Sequence, residues 1–394
     1  GKGFTAVDDS YVFSMLEKMK ALTENDLEGL PSCQEIARRL SSLCERQMNP
    51  NLIAANFYPW ENMSGEEKLL RAQALFIQLR DWLGEKKMSL DSPRKISTLV
   101  DFLITATKAK PQWGAIDLHL IKYIKTWIRV TEAITALISL GVDYGNIKFP
   151  LELSWYTSYG RRTTAQESDI DKVKNIIEIE KPDLLITNGE GFPDYDVHST
   201  TEVSVYLALL ALIGEGKLDP KEIIYLQYAG VWERVGAQDA DFSVVLSGEE
   251  LNNFSAAFRI FYRSQSPAPL PDPATTGVNF FSDQVSMNAS ITRDELFGLL
   301  ARGGIPPAIT EIMGGEESGV LNYKIVDLVD QNALREMGRK REELLRVGEA
   351  KLRSSNEALQ GSAPRADISE GLLKSIEETG IPIEKILGID ELTR

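Results

Sequence analysis

Leu184–Glu202, LLITNGEGFPDYDVHSTTE, is the stretch on which the reading of the fold turns. A short apolar run, Leu184–Thr187, reads as a strand, and the polar segment Asn188–Val197 reads as the loop that leaves it. Ser199 and Glu202 have the spacing of a capping box, in which side chains satisfy the free N–H groups of a helix start. The helix they open runs to Ile213, and Gly214 and Gly216 end it. Strand, loop and helix in this order form the repeating unit of a largely parallel α/β sheet. Ligands of such sheets bind beyond the carboxyl ends of the strands, where this loop carries Glu190, Asp194, Asp196 and His198.

Working outward, Asp169–Glu180 has helical periodicity and is stopped by Pro182. Ile147–Leu153, Ile223–Tyr228 and Phe242–Leu246 read as further strands. Residues 1–110 read as almost entirely helical, with capping boxes at Ser32/Glu35 and Ser64/Glu67. More helix follows over 95–141, broken near Lys110–Gly114 by Pro111 and Gly114. Beyond the Pro-rich run Ser266–Pro273, residues 291–303 and 325–360 return to helix. Arg335–Arg353, with seven basic and four acidic residues, reads as a solvated helix face, and Gly361–Arg365 reads as a linker before a last short helix, Ser369–Thr379. The expected organisation is a helical region over 1–114, an α/β domain with a parallel or mixed sheet over 115–290, and a helical C-terminal region over 291–394.

Bulk properties narrow the function classes. With 43% hydrophobic and 26% charged residues the chain has a globular balance. Its net charge of −15 makes it a poor ligand for the phosphate backbone of nucleic acid, which is held mostly by Lys and Arg. The longest apolar stretch, Val203–Ile213, is interrupted by Ser204 and has core-helix length, short of the ~20 residues of a membrane span. The first residue is Gly1 rather than methionine, which points to a processed, tagged or trimmed start. The two cysteines, Cys33 and Cys44, fall in one helical run, where eleven residues rise about 16 Å, too far for a disulfide. Two free thiols and no secretion signal point to the cytoplasm.

Two readings of the acidic loop stay open on the residues alone. Asp and Pro before a helix are ordinary turn formers. Equally, a neutral imidazole near a helix start can bind a metal, and Asp-x-Asp-x-His spacing brings carboxylates beside it. His119, in the helical run DLHLIKYIKTWI, reads as a packed residue. Trp155, Tyr156 and Tyr159 beside Arg161 and Arg162 read either as a platform for a sugar and its phosphate or as an apolar corner with two solvated arginines.

Several pieces, in order, resemble the PIG-L/LmbE family of zinc-dependent sugar de-N-acetylases, in the version fused to glucosamine-6-phosphate deaminase-like domains. They are the helix Trp127–Leu140 with Arg129, Glu132 and Ala133; Phe149–Tyr156 with Gly160–Arg161; Glu180–Thr187, EKPDLLIT; Asp196–Thr200; Tyr228–Trp232; and Phe258–Gln265 with its Ser-Gln pair. The resemblance implies zinc held by His198, with Asp194 and Asp9 as further ligands. It implies Asp8 or Asp196 as the proton-handling carboxylate, and Tyr156, Arg161, Arg162 and Glu190 as contacts to substrate. The reaction implied is metal-dependent amide hydrolysis of an N-acetylated amino sugar or sugar phosphate, with a small-molecule sugar as partner and homo-oligomerisation open. The sequence departs from the family at its defining His-Pro-Asp-Asp motif. Neither His119 nor His198 is followed by Pro-Asp-Asp, Val7-Asp8-Asp9 is the nearest counterpart, and Tyr262 stands where relatives carry His. The alternative implied is a degenerate member that binds a sugar phosphate or serves assembly without turnover.

Overall fold

The computed structural model describes residues 9–22, 28–45, 63–85, 93–108, 119–148, 166–189, 197–228, 235–264, 281–301 and most of 318–346, with a few isolated positions besides. The chain is a mixed α/β protein that divides into two compact units, one built chiefly from Lys2–Phe149 with Ala256–Pro269, the other from Pro150–Ser255 with Leu270–Asn356.

The first unit is helical: α1 (Asp9–Lys20), α2 (Cys33–Glu45), α3 (Gly65–Glu85), α4 (Pro93–Lys108) and α5 (His119–Ser139). In α1, Tyr11, Met15 and Met19 recur every four residues, so they share one face. That face is buried in the core with Leu75 and Leu79 of α3 and Leu99 and Leu103 of α4. Ile36 and Leu40 of α2 pack on Leu70, Ala74 and Ile77 of α3. The two expected helix starts form: the Ser32 hydroxyl accepts from the Glu35 N–H at 3.1 Å and that of Ser64 from the Glu67 N–H at 3.0 Å. Each such cap is worth about 1 kcal/mol.

The second unit holds the sheet. Its elements are α6 (Glu167–Glu180), β1 (Leu184–Asn188), α7 (Val197–Gly214), β2 (Ile224–Tyr228), β3 (Phe242–Leu246), the start of α8 (Gly248–Phe261), α9 (Phe281–Leu300) and β4 (Gly319–Val326). The strand order is β1-β2-β4-β3. β1 and β2 run parallel, Leu184 opposite Ile224 and Asn188 opposite Tyr228, while β4 runs antiparallel to both β2 and β3. The parallel pair needs a crossover, and α7 supplies it. On one face Tyr225 and Val326 pack with Ile177 of α6 and Val205, Leu209 and Leu212 of α7. α7 is apolar almost all round and accordingly buried, Val203 and Ser204 both at 0% exposure. Strand alternation turns the other set outward, where Leu184, Ile186, Ile224, Tyr228, Phe242 and Ile325 stand about half exposed.

Four expectations are corrected. The helix expected over 325–360 begins later, because Gly319–Val326 forms β4, a strand paired between β2 and β3. The C-terminal region is therefore not all helix; Val320, Tyr323, Ile325 and Val326 suit the sheet, and the partners that recruit them lie some eighty to a hundred residues upstream. Ile147, Lys148 and Leu153 are not in a strand; the chain instead makes a single 3₁₀ turn, Tyr144–Asn146, capped by the Asp143 carboxylate accepting from the Gly145 N–H. The rest of that expected strand, 149–152, lies outside the described residues. α7 starts at Val197, two residues before the expected cap, so Ser199 lies inside the helix and the Glu202 carboxylate turns to Tyr206 and Gln227. The helix expected from 291 already starts at Phe281.

The solvated face holds where it is described: Arg339 pairs with Glu336 and Glu343, and Arg346 with Glu342, all on exposed side chains. Among the described residues no helix is long and apolar enough to cross a membrane.

Candidate functional site

In α/β sheets ligands bind beyond the carboxyl ends of parallel strands, which makes Gly189 and Val197, on either side of residues 190–196, the two anchor points. β1 ends at Asn188, whose carboxyl end lies beside that of the parallel strand β2. Gly189 follows, buried, its N–H donating to the Tyr228 carbonyl at 2.9 Å. Val197 is the first residue of α7, which places His198 in that helix's first turn.

A buried polar network lies behind these anchors. The Tyr206 hydroxyl donates to Glu202 Oε1 at 2.8 Å. Gln227 Nε2 donates to the same Oε1 at 3.3 Å, to the Tyr206 hydroxyl at 2.5 Å and to the Tyr225 hydroxyl at 3.2 Å. Thr187 Oγ1 and the Tyr225 hydroxyl share a hydrogen bond at 2.8 Å. Glu202, Tyr206, Tyr225 and Gln227 are each at most 3% exposed. Burial, reinforced by the Glu202 charge, drives the Tyr206 hydroxyl far above its ordinary range, and burial does the same to Tyr225. Both phenols therefore keep their protons, and Tyr206 remains a donor to the carboxylate.

Glu202 had a legible role in sequence as a cap; its partners did not. The available signal was Gln227, a long amide in the apolar strand IYLQY, two residues from Tyr225 and so on the same helix-covered face.

A second polar centre sits inside the helical unit. Glu132 accepts from Ser264 twice, from its backbone N–H at 2.8 Å and from its hydroxyl at 2.7 Å. Glu67 Oε1 accepts from Arg71 Nε at 3.1 Å and Nη2 at 3.0 Å. Arg71 also lies 3.8 Å from Glu132, and Arg263 lies 3.7 Å from Glu67. Glu67 and Glu132 are 0% exposed and Arg71 2%, so two guanidinium groups and two carboxylates balance in a nearly dry interior. Tyr11 and Cys44 border the group. Burial pushes the Tyr11 hydroxyl well up and raises the Cys44 thiol to about 11.

Of the residues the sequence proposes, Asp8, Tyr156, Arg161, Arg162, Glu190, Asp194 and Asp196 lie outside the described residues, as do Trp155 and Tyr159. Asp9 opens α1, His119 opens α5 and His198 is second in α7; their backbones are described and their side chains are not. Among the described residues no three His, Cys, Asp or Glu side chains converge as a metal ion requires. The donors named for zinc, one imidazole with carboxylates, are of a kind zinc accepts.

Compared with models of protein families, with curated proteins and with solved structures, the chain matches none.

Proposed function

We propose that this chain is a PIG-L/LmbE-like protein that binds an N-acetylated amino sugar or sugar phosphate at the carboxyl ends of β1 and β2, hydrolysing the amide where its metal site is complete. The observation that carries the reading is the pairing of Glu132 with Ser264. The Arg-x-x-Glu-Ala helix and the Ser-Gln pair are two separate pieces of the resemblance, and two hydrogen bonds join them in the interior. The order of β1 and α7 on either side of residues 190–196 supports the same reading, since ligands of parallel strands bind beyond their carboxyl ends. In this reading His198 heads the zinc ligands with Asp194, and Asp196 handles the proton. Tyr156 stacks on the sugar ring, Arg161 and Arg162 take the phosphate, and Glu190 accepts from a sugar hydroxyl. Zinc, when bound, supplies a Lewis acid for the amide carbonyl and a water of lowered pKa.

One observation favours a second reading, a degenerate member without turnover. Val7, which precedes Asp8 and Asp9, is 1% exposed and packs in the apolar core of the helical unit, so the counterpart of the family's first motif begins with a core valine.

The zinc content of chelator-free protein separates the two. Near-stoichiometric zinc that disappears in His198→Ala supports the hydrolase. Zinc-free protein in both forms rejects it and leaves the binding role, which isothermal titration with N-acetylglucosamine 6-phosphate then tests.

A further inference from the structure

The sheet of the second unit packs α6 and α7 on one face and carries a second apolar face opposite. The strand register lines up the side chains of that face in rows. Leu184 stands beside Ile224, and Ile186 beside Leu226 and then Ile325. In the next row Tyr228, Tyr323 and Phe242 follow one another, the last two rings 6.0 Å apart. Lys324 is the one charged residue of the four described strands, and alternation puts it with Gln227 on the helix-covered face. The second face is thus free of charge, while exposed Asp183, Asp241 and Asp327 stand at the strand ends around it. Six of its side chains, Leu184, Ile186, Ile224, Tyr228, Phe242 and Ile325, are 43–56% exposed. Parallel strands such as β1 and β2 are ordinarily covered on both faces, because both are apolar.

We infer that a second copy of this chain covers this face, the two sheets packing across a two-fold axis. At roughly 80–100 Å² for each half-exposed side chain, about 500–600 Å² of apolar surface lies open on one copy, the upper end of what a monomer shows. Two copies together bury about 1,000–1,200 Å², enough to reach the size of a specific interface. The chemistry favours a copy over an unlike partner. An apolar centre ringed by polar groups is the make-up of homodimer interfaces. A face without charge also offers no pattern by which a differently charged partner is steered or chosen. A lipid surface fits less well, since a chain of net charge −15 with carboxylates at the rim is repelled by anionic headgroups. A two-fold axis sets the same patch against itself, and facing sheets interdigitate about 10 Å apart. The inference is independent of the proposed function and uses no residue of the acidic loop.

Sedimentation equilibrium of the full chain should give a mass that approaches twice 43.9 kDa as concentration rises. Ile186→Lys and Ile325→Lys are each expected to weaken the dimer about a hundredfold or more, because the two-fold axis buries the unpaired ammonium twice. Leu140→Lys, at an exposed position in the helical unit, should leave it unchanged. A chain that is monomeric at every concentration, or a dimer indifferent to both face variants, would overturn the inference. Hydroxyl-radical footprinting of the unaltered protein decides the matter if the variants do not fold. Oxidation of Ile186, Tyr228 and Phe242 should fall several-fold as the dimer forms. Protection equal at all concentrations means that the same chain covers the face, and protection only with phosphatidylcholine vesicles means a lipid partner; either result rejects the second copy. Zinc and amide hydrolysis enter none of these readouts, so the dimer and the proposed function stand or fall separately.

Discussion

Glu132 and Ser264 stand 132 residues apart in the chain, yet one carboxylate takes both the backbone N–H and the hydroxyl of the serine, at 2.8 and 2.7 Å. This pins the short segment Ala256–Pro269 into the helical unit formed mainly by residues before 150. The carboxylate can be buried because Arg71 and Arg263 bring compensating charge, with Glu67 completing the balance. Burial without such partners would be prohibitive.

Removing one member should therefore cost more than its own bonds. Glu132→Ala is expected to destabilise the protein by about 3–5 kcal/mol, because it leaves buried guanidinium charge uncompensated. Ser264→Ala should cost about 1.5–3 kcal/mol, the range for hydrogen bonds to a charged group. Urea unfolding midpoints of the two single variants and the double variant check this. The double variant should lose less than the sum, since the serine's bonds vanish once the carboxylate is gone.

The two cysteines should differ sharply in reactivity. Cys44 is fully buried beside Arg71 and Glu67, and burial raises its thiol to about 11, so at pH 8 roughly a thousandth is thiolate. Cys33 is only half-buried, with its thiol raised by the same cause to a smaller degree. A thiol reagent applied to the folded protein should modify Cys33 alone, and Cys44 should react only on unfolding. Peptide mapping after timed labelling gives the answer.

The ends of α6 and α7 should respond to acid. Glu215 accepts hydrogen bonds from Lys174 and Lys217, and these hold its carboxyl below the ordinary value of 4.5. A folded-state pKa that is lowered means stability present above about 4.5 and lost as pH falls through the folded value. Glu215→Gln should flatten that part of the acid limb and leave stability near neutrality little changed, because the pair is solvent-exposed. Thermal midpoints measured from pH 3 to 7 test the sign.

One position should improve on substitution. Lys181 closes α6 in the left-handed region, φ 44°, donating its N–H to the Ile177 carbonyl at 2.9 Å, and Pro182 prevents the helix from continuing. A side chain in that conformation costs about 1 kcal/mol that glycine avoids. Lys181→Gly is expected to raise stability by a similar amount, read as an increased urea midpoint.

Short stretches of the sequence carry different physical signals. Ser32 and Ser64 announced helices because a cap is a contact between residues three apart. Leu184–Thr187 and Phe242–Leu246 announced strands because apolar β-formers were bounded by turn residues. The acidic loop was legible as a candidate site from its place between a strand and a helix, and its carboxylates and imidazole were legible as chemistry.

β4 was not legible. Gly319–Val326 becomes a strand because β2 and β3 offer edges to it from far upstream, and no local period records that offer. Nor was the choice Glu202 makes between capping its own helix and joining Tyr206 and Gln227. Local patterning along this chain determined the helices and most of the strands, because those depend on neighbours three to five residues away. Tertiary structure alone decided which strand fills the middle of the sheet, which carboxylates are buried with arginine, and that Gln227 meets Glu202 and Tyr206 in the interior. Those outcomes rest on contacts between distant segments, whose energies exist only once the chain has closed on itself.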